Sequence, residues 1–103
     1  MKKQQRGGLS FHPGRVLYER FLKPTGLSQN ALARELGVPP RRINEIVLGK
    51  RGITADTALR IARYFKTTEQ FWLNLQLAWD LYHATHSAAA KQIDQIKPLK
   101  RAG

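Results

Sequence analysis

Gly37, Val38, Pro39 and Pro40 follow one another in the middle of residues 28–49, SQNALARELGVPPRRINEIVLG. No continuous helix passes through such a run, because glycine takes up the positive φ that ends a helix and proline has no N–H to continue one. On either side of the break the apolar residues recur at helical spacing. Leu32, Ala33 and Leu36 share one face before it, and Ile43, Ile46 and Val47 share one face after it. Pro40 suits the first position of the second helix, where its missing N–H has no partner to lose. The stretch therefore predicts two short helices joined by a tight turn, with the small Ala33 letting them approach closely.

The second helix, expected over residues 40–48, keeps Arg41, Arg42, Asn44 and Glu45 for its outer face. These side chains can hydrogen-bond base edges and phosphates. A small residue at the crossing, a turn glycine and an arginine-rich outer face, at these spacings, form the pattern of a DNA-binding helix-turn-helix. Ser28 is the expected N-cap of the first helix, followed by Gln29 and Asn30 in a first turn whose free N–H groups attract phosphate. Beyond the second helix, Gly49-Lys50-Arg51-Gly52 is a cationic loop placed to meet the DNA backbone. In this reading Arg41 or Arg42 takes a guanine bidentately and Asn44 reads adenine. Gln29, Lys50 and Arg51 position the domain on phosphates, while the charge of Glu45 opposes such contact.

The rest of the chain supports a small all-α domain. A length of 103 residues allows one domain with a modest core. The net charge is +11, and it is uneven: residues 1–66 hold 14 Lys and Arg against 4 Asp and Glu, whereas residues 67–103 hold 4 against 3. The positive charge thus travels with the helix-turn-helix, as expected for a polyanionic partner. Residues 1–10 read as a flexible basic arm. A first helix is expected from His12-Pro13, with Val16, Leu17, Phe21 and Leu22 as its buried stripe, closed by Lys23-Pro24-Thr25-Gly26. Thr54 caps a fourth helix with Asp56 in its first turn and Ala58, Leu59, Ile61, Ala62 and Phe65 inward; Arg60 and Arg63 are expected in solvent.

Thr67 and Gln70 have the spacing of a capping box that opens a fifth helix. That helix is apolar on too many sides. Phe71, Leu75, Ala78 and Tyr82 form one stripe, with Trp72 and Trp79 beside it; Leu73, Leu77 and Leu81 form another. One stripe covers the small core and the other needs a second partner. A homodimer suits this surface, since paired recognition helices on a two-fold site require one, and Phe71, Trp72, Leu73, Leu75, Leu77, Trp79 and Leu81 are the candidate dimerisation residues. Residues 84–103 are expected to fray or to be disordered, with a helical spacing at Ile93 and Ile96. The domain proper is placed at residues 11–83.

Catalysis finds little support. The carboxylates form no close-spaced acid/base pair, and no nucleophile elbow, metalloprotease motif or phosphate-cradling glycine loop is present. His12 reads as a helix-cap or surface residue. His83 and His86 lie three apart without an evident third ligand, so neither a metal nor any other cofactor is expected. The chain has no cysteine, and no apolar run long enough for a membrane span. The N-terminus lacks the apolar stretch of a signal peptide, so a cytoplasmic location is expected. No membrane and no small-molecule substrate enters the reading.

Four segments carry a more specific resemblance: HPG at residues 12–14, GLSQNALARELGVPPRRINEIVLGKRGIT at 26–54, DTALRIARYF at 56–65 and FWLNLQ at 71–76. Together they resemble the HigA antitoxins, the Xre-type (lambda repressor/Cro-like) half of HigBA toxin–antitoxin modules. The resemblance implies a lambda-repressor-like domain of about five helices that dimerises through its C-terminal part. It also implies binding to a palindromic operator in the protein's own promoter, and neutralisation of a RelE-like (HigB) toxin that cleaves translated mRNA. Gln29, Arg41, Arg42, Asn44 and Lys50 carry over as DNA contacts. The chain departs from the family pattern at Arg15, at Pro39-Pro40 and at Leu48. A stand-alone or phage-type Xre repressor with no toxin partner is the alternative at this point.

Overall fold

The computed structural model describes residues 11–100; the expected N-terminal arm, residues 1–10, lies outside them. The described residues form helices and no strands. The first helix, α1, covers residues 13–25 and has three parts: α-helical Pro13–Leu17, a π turn at Tyr18–Leu22 and α-helical Lys23–Thr25. Then come α2 (Gln29–Leu36), α3 (Pro40–Val47), α4 (Ala55–Phe65), α5 (Glu69–Thr85) and a short α6 (Ala89–Asp94). No helix among the described residues is long and apolar enough to cross a membrane.

The core is built where α1 to α4 meet the first half of α5. Leu17, Leu22, Leu32, Ala33, Ile43, Ile46, Ala58 and Ile61 are buried there around Trp72, whose side chain is fully enclosed. The Trp72 indole N–H donates to Thr67 Oγ1 at 2.8 Å, which removes the penalty of burying a polar donor. Phe21 packs beside it, with its ring centroid 5.1 Å from Trp72 and 4.9 Å from Phe65. At the crossing of α1 and α3 the two backbones nearly touch. A Cβ on Gly14 would overlap the Ile46 carbonyl oxygen and lie 3.0 Å from Val47 Cα. Only glycine fits, although glycine inside a helix is intrinsically unfavourable.

Several helix ends follow the sequence closely. His12 precedes α1 and its Nδ1 accepts from the Gly14 N–H at 2.9 Å, so it is a cap. Ser28 caps α2 and Thr54 caps α4. The segment 23–26 closes α1 as expected, at its last residue: the helix carries Pro24, runs on to Thr25 and stops at Gly26 with φ 71°. Upstream of Pro24 the helix widens into the π turn, with the Lys23 N–H donating to the Tyr18 carbonyl, and the Thr25 hydroxyl donates to Phe21 O at 2.6 Å. The proline, which has no N–H to offer, falls where the α ladder is already interrupted.

The cap of α5 is Thr68, not Thr67: Thr68 Oγ1 accepts from the Phe71 N–H at 3.1 Å, while the Thr67 hydroxyl serves Trp72. Leu59, expected inward, is 56% exposed; the inner face of α4 is completed by Thr57, one turn before Ile61. Within the tail a short α6 forms at Ala89–Asp94, with no buried residue. The alanines do not prolong α5, however. Thr85 Oγ1 donates to Leu81 O at 2.9 Å, Ser87 Oγ donates to Ala84 O at 2.8 Å, and His86 Nδ1 lies 2.7 Å from Tyr82 O. Side chains thus occupy the last carbonyls, and α5 stops at Thr85.

Two predictions follow from this packing. Gly14→Ala is expected to lower unfolding stability by about 1–3 kcal/mol or more, against the helix-propensity gain of the substitution. Urea denaturation checks this, and an unchanged midpoint would mean that the α1–α3 approach is not as close as described. The second concerns pH. Burial holds the His12 pKa below its ordinary 6.5, with Asp80 acting weakly in the opposite direction. Its neutral form is therefore the folded form, and stability is full above the ordinary value and declines as pH falls towards the lowered one. Denaturation midpoints measured between pH 7.5 and 5 should show this step, and His12→Asn, which keeps a capping oxygen, should lack it.

Candidate nucleic-acid interface

The turn between α2 and α3 is built from backbone hydrogen bonds that fix both helices. Gly37 adopts φ 71°. Its N–H donates to Arg34 O at 3.2 Å and the Val38 N–H reaches back to Ala33 O at 3.0 Å, the double closure of a Schellman motif. Val38 is buried directly after the turn. Pro39 stands in the cap position of α3 and Pro40 opens it. The same closure recurs at the other end of α3. Gly49, at φ 78°, donates to Ile46 O at 3.0 Å, and the Lys50 N–H donates to Glu45 O at 2.8 Å. This turn throws Lys50 and Arg51 outward, and both are exposed.

The loop after α3 is held from behind by α5. The Ile53 N–H donates to Gln76 Oε1 at 2.7 Å, and Gln76 Nε2 donates to Asp80 Oδ1 at 3.0 Å. A Cβ on Gly52 would lie 2.9 Å from both polar atoms of Gln76, so a glycine is needed for the amide to reach the Ile53 backbone. Gly49 lies beside the His12 ring, which meets Trp79 of α5 edge-on at 5.1 Å.

On the outer face the residues expected to meet DNA are brought together. Ser28 and Asn30 are exposed at the start of α2, where Ser28 Oγ accepts from the Ala31 N–H at 3.0 Å. Gln29 and Asn44 are half-buried neighbours, with Asn44 Nδ2 donating to Gln29 Oε1 at 2.8 Å. Pro40 is exposed at the start of α3, and Arg41, Asn44 and Glu45 follow on one face. Glu45 lies between two arginines. Arg41 Nε donates to its Oε2 at 2.8 Å, and Arg51 Nη2 lies 2.8 Å from its Oε1. These hydrogen bonds, that of Arg41 first, hold the Glu45 carboxyl below its ordinary pKa.

Arg42 has a different setting. Its Nη1 donates to Asp56 Oδ2 at 3.0 Å, across to the first turn of α4, and its side chain is 29% exposed against 83% for Arg41. Arg60 also donates to Asp56 Oδ2 at 3.0 Å, and through Nη1 to Leu36 O at 2.8 Å, closing one end carbonyl of α2. Arg60 comes first and Arg42 second in depressing the pKa of Asp56.

Beside this face lies a concavity of about 560 Å³ between the end of α1 and the start of α2, open to Asn44. Tyr18 and Lys23 line it together with Ser28, Gln29 and Asn30. Sequence reasoning did not single out Tyr18 or Lys23. The lysine's charge beside the helix-turn-helix was an available signal, whereas nothing in the spacing marks the tyrosine.

The candidate dimerisation residues separate into groups. Trp72 is fully buried in the core and presents no side chain to a partner; the indole is the largest side chain available to fill the space between α1 and α4. Phe71, Leu73 and Leu75 are half-buried against the core, and Trp79 is half-buried between His12 and His83. Leu77 and Leu81 are 54% and 56% exposed. Among the described residues no group of three or more His, Asp or Glu side chains gathers to hold a metal.

The helix-turn-helix family model matches residues 19–72, a little over half the chain. The chain is 61% identical to virulence-associated protein I of Dichelobacter nodosus over 87% of its own length and 82% of that protein. It is 33% identical to antitoxin HigA-1 of Vibrio cholerae, over 96% of its length and 90% of that protein. The solved structure of Pseudomonas aeruginosa antitoxin HigA with the higBA promoter superposes with a TM-score of 0.82 at 46% identity, covering 88% of this chain and 99% of that one. A match of this extent in both sequence and fold, over a helix-turn-helix with an outward arginine and amide face, leaves one assignment: the chain belongs to the HigA antitoxin family of helix-turn-helix proteins.

Proposed function

We propose that this chain is an antitoxin and autorepressor. As a homodimer it binds a palindromic operator in its own promoter and neutralises a cognate RelE-like HigB toxin. The observation that carries the DNA half is the outer face of α3, where Arg41 and the Gln29–Asn44 amide pair stand beside the exposed Lys50–Arg51 loop. Arg41 and Asn44 face base edges in the major groove. Ser28, Gln29 and Asn30 at the start of α2, together with Lys50 and Arg51, take phosphates on either side. That a relative in the family is solved with promoter DNA supports the same geometry here.

Residues 11–83 act as the DNA-binding and dimerisation unit, with Leu77 and Leu81 at the two-fold contact beside the half-buried Phe71, Leu73, Leu75 and Trp79. A dimer places two copies of α3 about one helical turn apart, so the operator is a two-fold site. The protein acts in the cytoplasm, where its operator is, and its work is binding rather than catalysis. The toxin half rests on the family alone.

A fluorescence-anisotropy titration tests the DNA reading, with duplex from upstream of the gene beside a scrambled duplex at two salt concentrations. Preferential, steeply salt-dependent binding of two chains per site is expected. Arg41→Ala should remove about 1–3 kcal/mol of discrimination at one base position per half-site. Lys50→Ala should weaken all duplexes alike and reduce the salt slope by about 1. Equal affinity of the wild type for both duplexes would reduce the binding to a charge effect.

The toxin reading is tested by co-expressing the chain with a short RelE-like reading frame adjacent to its gene. Relief of growth arrest and co-purification of the two chains are expected. Operator binding without either outcome would make the chain a stand-alone repressor.

A further inference from the structure

Glu45 is an odd residue to find on a surface that approaches a polyanion, and its surroundings explain its presence. It lies one helical turn after Arg41 on the outward face of α3, and both carboxylate oxygens are engaged. Oε2 takes the Arg41 Nε–H at 2.8 Å; Oε1 takes the Arg51 Nε–H at 3.0 Å, with Arg51 Nη2 at 2.8 Å. A guanidinium gripped at Nε keeps its two Nη groups free, and these form the forward edge that can span guanine O6 and N7. The Arg41 side chain is 83% exposed and has no other hydrogen-bond partner among the described residues.

We propose that Glu45 is the specificity-determining positioning residue of this interface: it aims Arg41 at a guanine and opposes binding wherever that guanine is missing. The inference rests on the DNA-binding reading above. Three physical effects combine in it. The carboxylate fixes the direction of a long side chain that would otherwise sample many rotamers and settle on any phosphate. Its charge cancels part of the attraction that Arg41 and Arg51 exert on the backbone, so the sequence-independent share of affinity falls. An Arg41 that left Glu45 for a phosphate would also leave that carboxylate with Arg51 as its one partner beside the DNA. A guanine edge satisfies Arg41 without disturbing the pair, whereas an adenine or thymine leaves it unmatched.

The contrast with the second carboxylate sharpens the assignment. Asp56 is also held by two arginines, but one of them, Arg42, runs from α3 to α4, and the other, Arg60, continues to the Leu36 carbonyl at the end of α2. That network ties the helix-turn-helix to α4. It leaves Arg42 as a brace and Arg41 as the reader.

The test uses the full chain as wild type, Glu45→Gln and Glu45→Ala. Each is titrated against the operator, a scrambled duplex, and operators in which each G·C pair of the half-site is replaced in turn by A·T. Circular dichroism confirms the helical content of each variant. Wild type should lose about 5- to 150-fold at one G·C position. In both variants that loss should shrink to about threefold or less, affinity for the scrambled duplex should rise, and the salt slope should steepen by about 1. Variants that keep the wild-type loss at every position, or that weaken equally on all duplexes, overturn the role of Glu45 while DNA recognition stands. A wild type with no preference for the operator overturns the DNA reading itself, and the role of Glu45 with it.

Discussion

The recognition helix is eight residues long and begins with a proline that no side chain caps. A helix of this length is unstable alone in water, because too few hydrogen bonds offset the entropy of nucleation. Its existence and its direction therefore depend on what it is packed against. Ile43 and Ile46 anchor it in the core, and the backbone of α1 presses on it at Gly14 with no side chain between. That contact sets how far α3 stands out from the body of the domain. A side chain there would push the helix away from α1 and change the angle at which its outer face meets a duplex.

Three pieces of the family resemblance, HPG at residues 12–14, GKRGIT at 49–54 and FWLNLQ at 71–76, form one spatial unit. His12 caps α1, which brings Gly14 onto α3, and its ring lies between Gly49 and Trp79. Gly52 makes room for Gln76, which holds the Ile53 N–H. The residues of HPG, GKRGIT and FWLNLQ thus need one another physically, although more than 50 positions separate the first from the last. They hold the C-terminal end of α3 and the loop that follows it, one side through α1 and the other through α5. The exposed loop with Lys50 and Arg51 is consequently attached to the helix that also carries the exposed Leu77 and Leu81.

Much of this was legible because local chemistry decided it. Gly37 closes a helix wherever it occurs with Val38 following, and Ser28 and Thr54 had no competing role, so periodicity and capping rules placed α2, α3 and α4 correctly. The errors arose where a residue had two possible partners. Thr67 and Thr68 both offer a hydroxyl to cap α5, and only the position of Trp72 decides that Thr67 is taken. Trp72 itself looks like surface on a helix that is apolar on every side; burial depends on α1 and α4 arriving from elsewhere in the chain. Leu59 fits the inner face of α4 by hydropathy, but the buried face is turned towards Thr57, one turn before Ile61, and leaves Leu59 outside. The outer-face residues of α3 could be named from the sequence. Their division into Arg41 with Glu45 and Arg42 with Asp56 could not, since it turns on the distance between α3 and the start of α4.

Charge acts on two scales in this molecule. At distances beyond the Debye length of about 10 Å the individual pairs are screened, and what a duplex meets is the excess of lysine and arginine in the first two-thirds of the chain. That excess accelerates approach and is indifferent to sequence. At contact the picture reverses, because Arg41, Arg42 and Arg51 are already partnered by carboxylates whose pKa values they depress. An arginine held by a carboxylate has less to gain from a phosphate, and its remaining donors point in a fixed direction. Basic residues thus supply generic attraction where they are free, as at Lys50, and in the proposed reading directional recognition where one is held and exposed, as at Arg41. A surface made of unpaired arginines would bind DNA more tightly and choose among sequences less well.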